Sequence, residues 1–500
     1  MNSSIIIEVY RQSLNLPKYS PIFVFMRWIT ILFFGGILAN LSAQSVEKIT
    51  LEKCIQLAFT KNFDVQLAAI SESLANIDYQ QSKYNLSPEI SGAAGQYFQS
   101  GRSIDRFTNQ YVQTTIGSNN FQLQANWTLF AGGQLRNNIQ KLRFDKQASH
   151  LDLEQAKQNI ALSVALAYLQ CLQTNEQVQA AKSIALNGKL ELDRLEKLLK
   201  AGATNEGALW SAKAQYLNQI SNLTQAENAK KSAYLNLKNL IQLDPKSEFE
   251  LEVAAFDVPQ KNKYPIDIQS LIDSATARRP EVAAAKARQE SAIFTSKIAK
   301  GALLPTLSLG GNLNSVYSGN AKTITGFSIV GSQPIGYVKS NLEIVEAPKF
   351  EYTTQTIEFS KQIKDNFGQS FGATLSVPIY GKLQTQTQIN KANIGIIQSQ
   401  IALEKSYMAV RNDVSNAYIS FENSADKYFA LKETYEAQRK NTEFVKIRFA
   451  NAQASQFEIQ TAENAENSAY QNLISAKYEF VFRKLVLDYF YNNQLSSLSN

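Results

Sequence analysis

The chain has 500 residues, 44% hydrophobic and 10% aromatic, which is enough apolar material for large cores and excludes whole-chain disorder. A mean hydropathy of −0.24 excludes a polytopic helical membrane protein, and a single histidine, His150, with two cysteines, Cys54 and Cys171, excludes multi-histidine metal sites, zinc clusters and a disulfide framework. The formal charge of +7 is spread among Asp and Glu with no basic block, so there is no nucleic-acid footprint.

In chain order, the first feature is an export signal. From Met26 the sequence runs through Arg27, an apolar stretch from Trp28 to about Leu41, and small residues before Gln44. This is the grammar of a secretory signal peptide cleaved near Ala43, and the apolar run is shorter than the roughly 20 residues that span a bilayer. Residues 1–43 are therefore expected to leave, with Met26 as the true start. Their removal leaves a formal charge of +5. No cysteine stands at the cleavage site to carry a lipid.

The remainder is a tandem repeat. Trp127-Thr128-Leu129-Phe130 matches Val377-Pro378-Ile379-Tyr380, and Ala167-Tyr168-Leu169 matches Ala417-Tyr418-Ile419, at a constant offset of 250 residues. Upstream, Leu86 to Ile90 matches Leu303 to Leu307 at an offset of 217, so copy two carries 33 extra residues, placed between Tyr317 and Asn366. The domain reading is repeat 1 over 46–245, a joint over 246–265 after Asp244-Pro245, repeat 2 over 266–493 with an enlarged extracellular loop at about 317–366, and a tail at 494–500.

Each copy reads as a helical stretch, two strands, a very long helix, a break and a return helix. In copy one, Phe121, Leu123, Ala125, Trp127 and Leu129 alternate with polar residues, the period of a strand with one apolar face. Ile90 to Phe98 is a Gly-Ala-rich partner strand. Copy two shows the same parity at Phe371, Ala373, Leu375, Val377 and Ile379, and a weaker one from Leu307 to Leu313. Helical periodicity without proline then runs from about Gly133 to Leu199 and from about Leu383 to Phe449; about 67 residues make a rod of roughly 100 Å. The return helix of copy one repeats Leu209, Ala212, Tyr216, Leu223, Ala226, Ala233, Leu237 and Leu240 in 3-4 alternation, interrupted by Gln219 and Lys230, which is coiled-coil spacing. Pro280 interrupts the first helical stretch of copy two. In the extra residues, Ile324 to Val330 and Glu351 to Thr354 read as strands of an ordered extension.

The breaks are hairpin tips: Lys200-Ala201-Gly202-Ala203-Thr204-Asn205 and Ala450-Asn451-Ala452-Gln453-Ala454-Ser455. Gly202 suits a helix end that needs positive φ, and Thr204 or Asn205 is placed to cap the next helix. Four amphipathic strands are too few to close a transmembrane barrel, which starts at 8, so several chains must share one. Eight and twelve strands both satisfy the geometry.

The opening Leu51-Glu52-Lys53-Cys54-Ile55-Gln56-Leu57-Ala58, the strand-to-helix junction Leu129-Phe130-Ala131-Gly132-Gly133 and the tip Ala201-Gly202-Ala203-Thr204, in this order and spacing, resemble the TolC-like outer-membrane efflux proteins, or outer membrane factors, over about residues 46–493. The resemblance implies a mainly α fold with transmembrane β, in which long coiled-coil helices form an α-helical barrel continuous with a shared 12-stranded β-barrel in a homotrimer. It also implies location in the outer membrane with a helical tunnel in the periplasm, in contact with outer-membrane lipid. Cargo would pass passively from an inner-membrane RND or ABC transporter through a periplasmic adaptor, in efflux or type I secretion, with gating at the helix tips and no cofactor. Adaptor docking falls on Gly202, Ala203, Thr204, Ala452, Gln453 and Ala454. Glu458 matches one position of the acidic entrance ring; three residues on stands Thr461, a departure from a double ring, and Ala454 stands where some relatives carry a basic residue.

The plainer roles are a solvated helix position for Glu458, a turn former for Gly202, an inter-helix or surface position for His150, and packing for Cys54 and Cys171. A periplasmic coiled-coil adaptor or a surface adhesive protein shares the helical hairpins. An adaptor has one hairpin and a lipoyl-like β domain, however, and an adhesin needs no duplicated strand pairs. The sequence has no Gly-x-Ser-x-Gly, phosphate loop or His-Glu-x-x-His, so an enzyme is not expected.

Overall fold

The computed structural model describes residues 48–104, 111–252 and 267–492. The export signal, the Met26 start, residues 253–265 of the joint and the tail at 494–500 lie outside the described residues. Two antiparallel strand pairs, β2 (Glu89–Ile104) with β3 (Tyr111–Ala131) and β5 (Thr306–Ser318) with β8 (Gly368–Ser376), join in one sheet of order β2-β3-β5-β8. The Gly-Ala-rich β2 is longer than its pattern indicates. Strand β8 stops at Ser376, short of Val377 and Ile379, which the alternation includes. The reason is positional: β3 lies inside the sheet and keeps a partner, β5, out to Ala131, whereas β8 is an edge with no partner beyond it. Phe371 and Ile379 on this edge are 96% and 94% exposed.

Long helices continue from the strands. After β3 comes α3 (Gln134–Lys200), and after β8 comes α8 (Gln384–Ala450), each of 67 residues. Their return partners are α4 (Glu206–Leu240) and α9 (Gln456–Asn492). Ahead of each strand pair, the helical stretch is broken in both copies. In copy one, α1 (Leu51–Lys61) gives way to α2 (Phe63–Tyr84) at Asn62, whose ψ of 133° leaves the helix; its side chain accepts from Asp64 N at 2.9 Å and donates to Leu240 O at 3.2 Å. In copy two, α5 (Ile268–Arg278) gives way to α6 (Pro280–Gly301), with Pro280 in the first turn, where its missing N–H leaves no bond unmade. Around the strands, α2 packs on α3, α3 on α6 and α6 on α8, so the helices follow the order of the strands they flank.

The midsection holds the core. Joint residues Glu250–Leu251 (β4) pair in parallel with Lys48–Ile49 (β1), a two-residue sheet that carries no period and so gives no sequence signal. Tyr168 of α3 is buried beneath it and donates to Glu252 O at 2.7 Å and to Ile49 O at 3.3 Å. Around Tyr168 are Cys54, Cys171, Leu237, Ile474 and Leu251, each large aliphatic side chain contributing about 1.5–3 kcal/mol by leaving water. A second cluster gathers Leu271, Val410, Val414, Phe421 and Phe480. Of the two interruptions of the α4 stripe, Lys230 donates to Asn175 Oδ1 at 2.8 Å, whereas Gln219 fills the space left by Gly188 with its Oε1 buried and unpartnered among the described residues.

The extra residues of copy two form a hairpin of β6 (Lys322–Tyr337) and β7 (Ile344–Thr356), followed by a short helix α7 (Phe359–Asp365).

Candidate channel wall and helix tips

The four-stranded sheet has two chemically distinct faces. Reading across the register, Ile90, Ala125, Gly311 and Phe371 form a row on one face, and Ser91, Gln124, Asn312 and Ser370 form the adjacent row on the other. The β5–β8 ladder has nine residue pairs, close to the roughly 9–11 residues of a tilted transmembrane strand. No helix among the described residues is long and apolar enough to cross a membrane. Trp127 sits low on the apolar face, its indole N–H donating to Leu86 O at 2.7 Å. At the upper end of the same face, Phe121 and Tyr317 meet Phe359 of α7 with ring centroids 6.1 and 5.1 Å apart.

Both tips end their long helix in one way. At the first, Ala203 N donates to Leu198 O at 2.9 Å and Gly202 N to Leu199 O at 3.0 Å; at the second, Gln453 N donates to Arg448 O at 2.8 Å and Ala452 N to Phe449 O at 2.9 Å. This pair of bonds satisfies the last carbonyls and requires a left-handed residue. Gly202 supplies it with φ 72°, and Ala452 adopts it as a non-glycine with φ 58°. Asn205, rather than Thr204, caps α4, accepting from Ala208 N at 2.9 Å.

The second tip is braced further. Glu458 N donates to Ser455 Oγ at 3.2 Å and Ser455 N donates to Glu458 Oε1 at 3.1 Å, a reciprocal cap. These Ser455 donors, with Arg448 beside them, hold the Glu458 carboxyl below its ordinary range. Arg448 lies 3.4 Å from Glu458 and donates to Gln453 O at 2.9 Å. Glu458 is therefore engaged with its own helix end as well as with solvent. Sequence reasoning missed Arg448; the Ser455-x-x-Glu458 spacing was the available signal for the cap. Thr461 is exposed and donates to Phe457 O of its own helix at 2.8 Å. Close by, Gln456 reaches Glu191 at 3.4 Å and Ser211 reaches Gln460 at 3.3 Å, joining the two hairpins by polar contacts.

Burial pushes the Cys54 and Cys171 thiols up to about 12, so both stay protonated and pack as small apolar groups. His150 Nδ1 lies 2.8 Å from Glu72 Oε1, linking α3 to α2.

The sequence matches the family described as "Outer membrane efflux protein" over residues 54–241 and 271–483. The chain belongs to the outer membrane efflux protein family. Among curated relatives, it is 22% identical to "Toxin and drug export protein A" of Aggregatibacter actinomycetemcomitans over 432 residues, 86% of this chain and 83% of the relative. Among solved structures, that of CusC superposes with a TM-score of 0.70 at 17% identity, covering 91% of this chain and 93% of the other. The Campylobacter jejuni CmeC outer membrane channel gives 0.68 at 16% identity, covering 88% and 85%. This efflux protein is an outer-membrane channel whose helices form a tunnel in the periplasm. Its family and structural neighbours are channels rather than enzymes.

Proposed function

We propose that three copies of this chain close one twelve-stranded barrel and one helical tunnel, through which cargo moves passively from an inner-membrane RND or ABC transporter and its periplasmic adaptor. The observation that carries this reading is the coincidence of edges. The sheet ends at β2 and β8, and the helical layer ends at the helices that flank those strands, α2 and α8. Each end helix carries an apolar stripe that is exposed among the described residues: Phe63, Leu67, Ile70, Leu74 and Ile77 on α2, and Ile394, Ile397, Ile401 and Met408 on α8. The α2 stripe keeps the 4-3-4-3 rhythm of a helical seam. One contact between copies, β2 to β8 and α2 to α8, satisfies strands and helices together. The apolar face of the wall then meets lipid and the polar face lines the lumen.

In this reading, Gly202, Ala203 and Thr204 with Ala452, Gln453 and Ala454 form the surface offered to the adaptor, and Glu458 with its brace Arg448 stands at the periplasmic entrance. The test is native mass in detergent together with single-channel conductance in a planar bilayer. A trimeric mass with a small, cation-preferring conductance supports the reading. A monomer that does not insert overturns it.

A further inference from the structure

The β6–β7 hairpin is a longer excursion than its counterpart in copy one, where the β2–β3 ladder continues from Phe98–Gly117 to Ile104–Tyr111 above its last pair with β5. Three register shifts, between Ile324 and Gly326, Ile329 and Gly331, and Pro334 and Gly336, each add one residue to β6. With them, Phe327 opposite Tyr352, Ile329 opposite Phe350 and Tyr337 opposite Ile344 share one face, interrupted between Phe350 and Ile344 by Ser332, which donates to Glu346 on that face; the Phe327 and Phe350 rings meet edge to face at 5.4 Å. Ser328 opposite Glu351, Gly331 opposite Lys349 and Gln333 opposite Ala347 share the other. Phe327, Ile329, Tyr337 and Ile344 are nevertheless 65%, 63%, 72% and 58% exposed. A two-stranded ribbon with its apolar face in water is marginal, so this face needs a cover.

The root of the hairpin indicates which cover. Helix α7 lies over the upper end of the wall's apolar face, with Phe359 against Phe121 and Tyr317, and Ser315 donating to Ile363 O at 2.8 Å. Gln362, 2% exposed, accepts from Ser318 N at 3.0 Å and donates to Ser318 O at 3.1 Å, so it takes the place of a strand partner for β5. Phe121 and Tyr317 belong to β3 and β5, the two central strands of the sheet, away from the β2 and β8 edges where copies meet. The hairpin thus rises from the middle of the apolar face, where the neighbour is bilayer rather than another protomer.

We infer that the β6–β7 hairpin lies on the outer leaflet of the outer membrane, its aromatic and aliphatic face against the acyl chains at the headgroup boundary and its polar face in water. This rests on the outward orientation of the wall's apolar face proposed above. Aromatic side chains are suited to that boundary, where one side is apolar and the other wet.

The experiment is tryptophan quenching by brominated phosphatidylcholine and by acrylamide, on the full mature channel reconstituted in vesicles. In Trp210→Phe, Trp127 reports the wall itself. Against a Trp127→Phe, Trp210→Phe background, Phe327→Trp reports the apolar face of the hairpin and Ser328→Trp its polar face. Expected is loss of most emission from Phe327→Trp in brominated lipid, with Ser328→Trp quenched by acrylamide and not by lipid. If the Phe327→Trp emission is quenched by acrylamide alone, the hairpin stands in water. If neither quencher reaches it, another protomer covers the face. Either result overturns the inference while Trp127 remains lipid-quenched and the wall stands. If Trp127 also escapes lipid, the orientation of the wall fails and takes this inference with it.

Discussion

At Gly132 the junction of strand and long helix depends on the absence of one methyl group. A Cβ there meets Gly301 O at 2.1 Å, and φ is 57°. The next residue, Gly133, has a φ of 77° but meets only the flexible Asn137 amide, at 3.6 Å. Copy two adopts the same left-handed pair with Lys382 and Leu383, at φ 51° and 59°, so the conformation itself accepts side chains. Close backbone approach is what demands glycine at 132. Gly133→Ala is expected to cost about 1 kcal/mol of backbone strain, and Gly132→Ala to add about 1–3 kcal/mol of overpacking. Thermal unfolding of the two variants side by side measures the difference; equal losses would contradict the account.

Glu458 gives a pH prediction on the same scale. Its folded carboxyl is held below the ordinary range by the Ser455 donors and by Arg448, so the tip brace is present at neutral pH and is lost as pH falls through that lowered value. Conductance should therefore rise on acidification in the native channel. Glu458→Gln should start higher at neutral pH and show a smaller acid step. An unchanged acid step in Glu458→Gln would remove Glu458 from the gate.

Among the elements, what was legible in the sequence is what carries a long period. The two proline-free runs appear as helices of 67 residues each, and the strand parity predicts which residues share a face. The packing role read for Cys171 also holds, since it lies in a buried stripe with Ile160, Val164 and Ala167. Elements without a period escaped: the two-residue β1–β4 pair, and the break at Asn62, where a single side chain caps one helix and reaches Leu240. The Arg448 brace escaped because it joins residues on opposite sides of a turn. The period also overreached at Ile379, because alternation records a face whether or not a partner strand is present. The same logic governs the exposed α2 stripe, which has the spacing of a core and no core against it among the described residues. Leu67→Lys with Leu74→Lys should leave the protomer folded and shift its mass in detergent from trimer toward monomer, since each leucine withdrawn from the seam removes about 1.5–3 kcal/mol of apolar burial. Circular dichroism checks the first expectation and native mass the second. A trimer of undiminished stability would place the seam elsewhere.

For the whole molecule, the tandem repeat sets how much of the chain the channel requires. Among the described residues copy one has no counterpart of α7, and above the last β3–β5 pair it carries only the seven-pair end of the β2–β3 ladder, so closure of the wall is not expected to depend on the longer β6–β7 excursion. The hairpin is also self-contained: Ile357 N donates to Ala321 O at 3.0 Å, bringing the two ends of the excursion together below it. Below that point, Gln362 and Asn366 bond the backbone of β5, with Asn366 donating to Val316 O at 2.7 Å. Replacing residues 322–356 with a short glycine turn while keeping α7 should therefore preserve both the trimeric mass and the single-channel conductance. Removing α7 as well should not be neutral, because the upper end of β5 then loses the partners that stand in for a strand, and each such hydrogen bond contributes about 0.5–1.5 kcal/mol net. Heat dissociation of the two deletions in detergent separates them. Loss of the trimer on removing the hairpin alone would mean that the hairpin holds neighbouring protomers together, and that the wall cannot close by its edges without it.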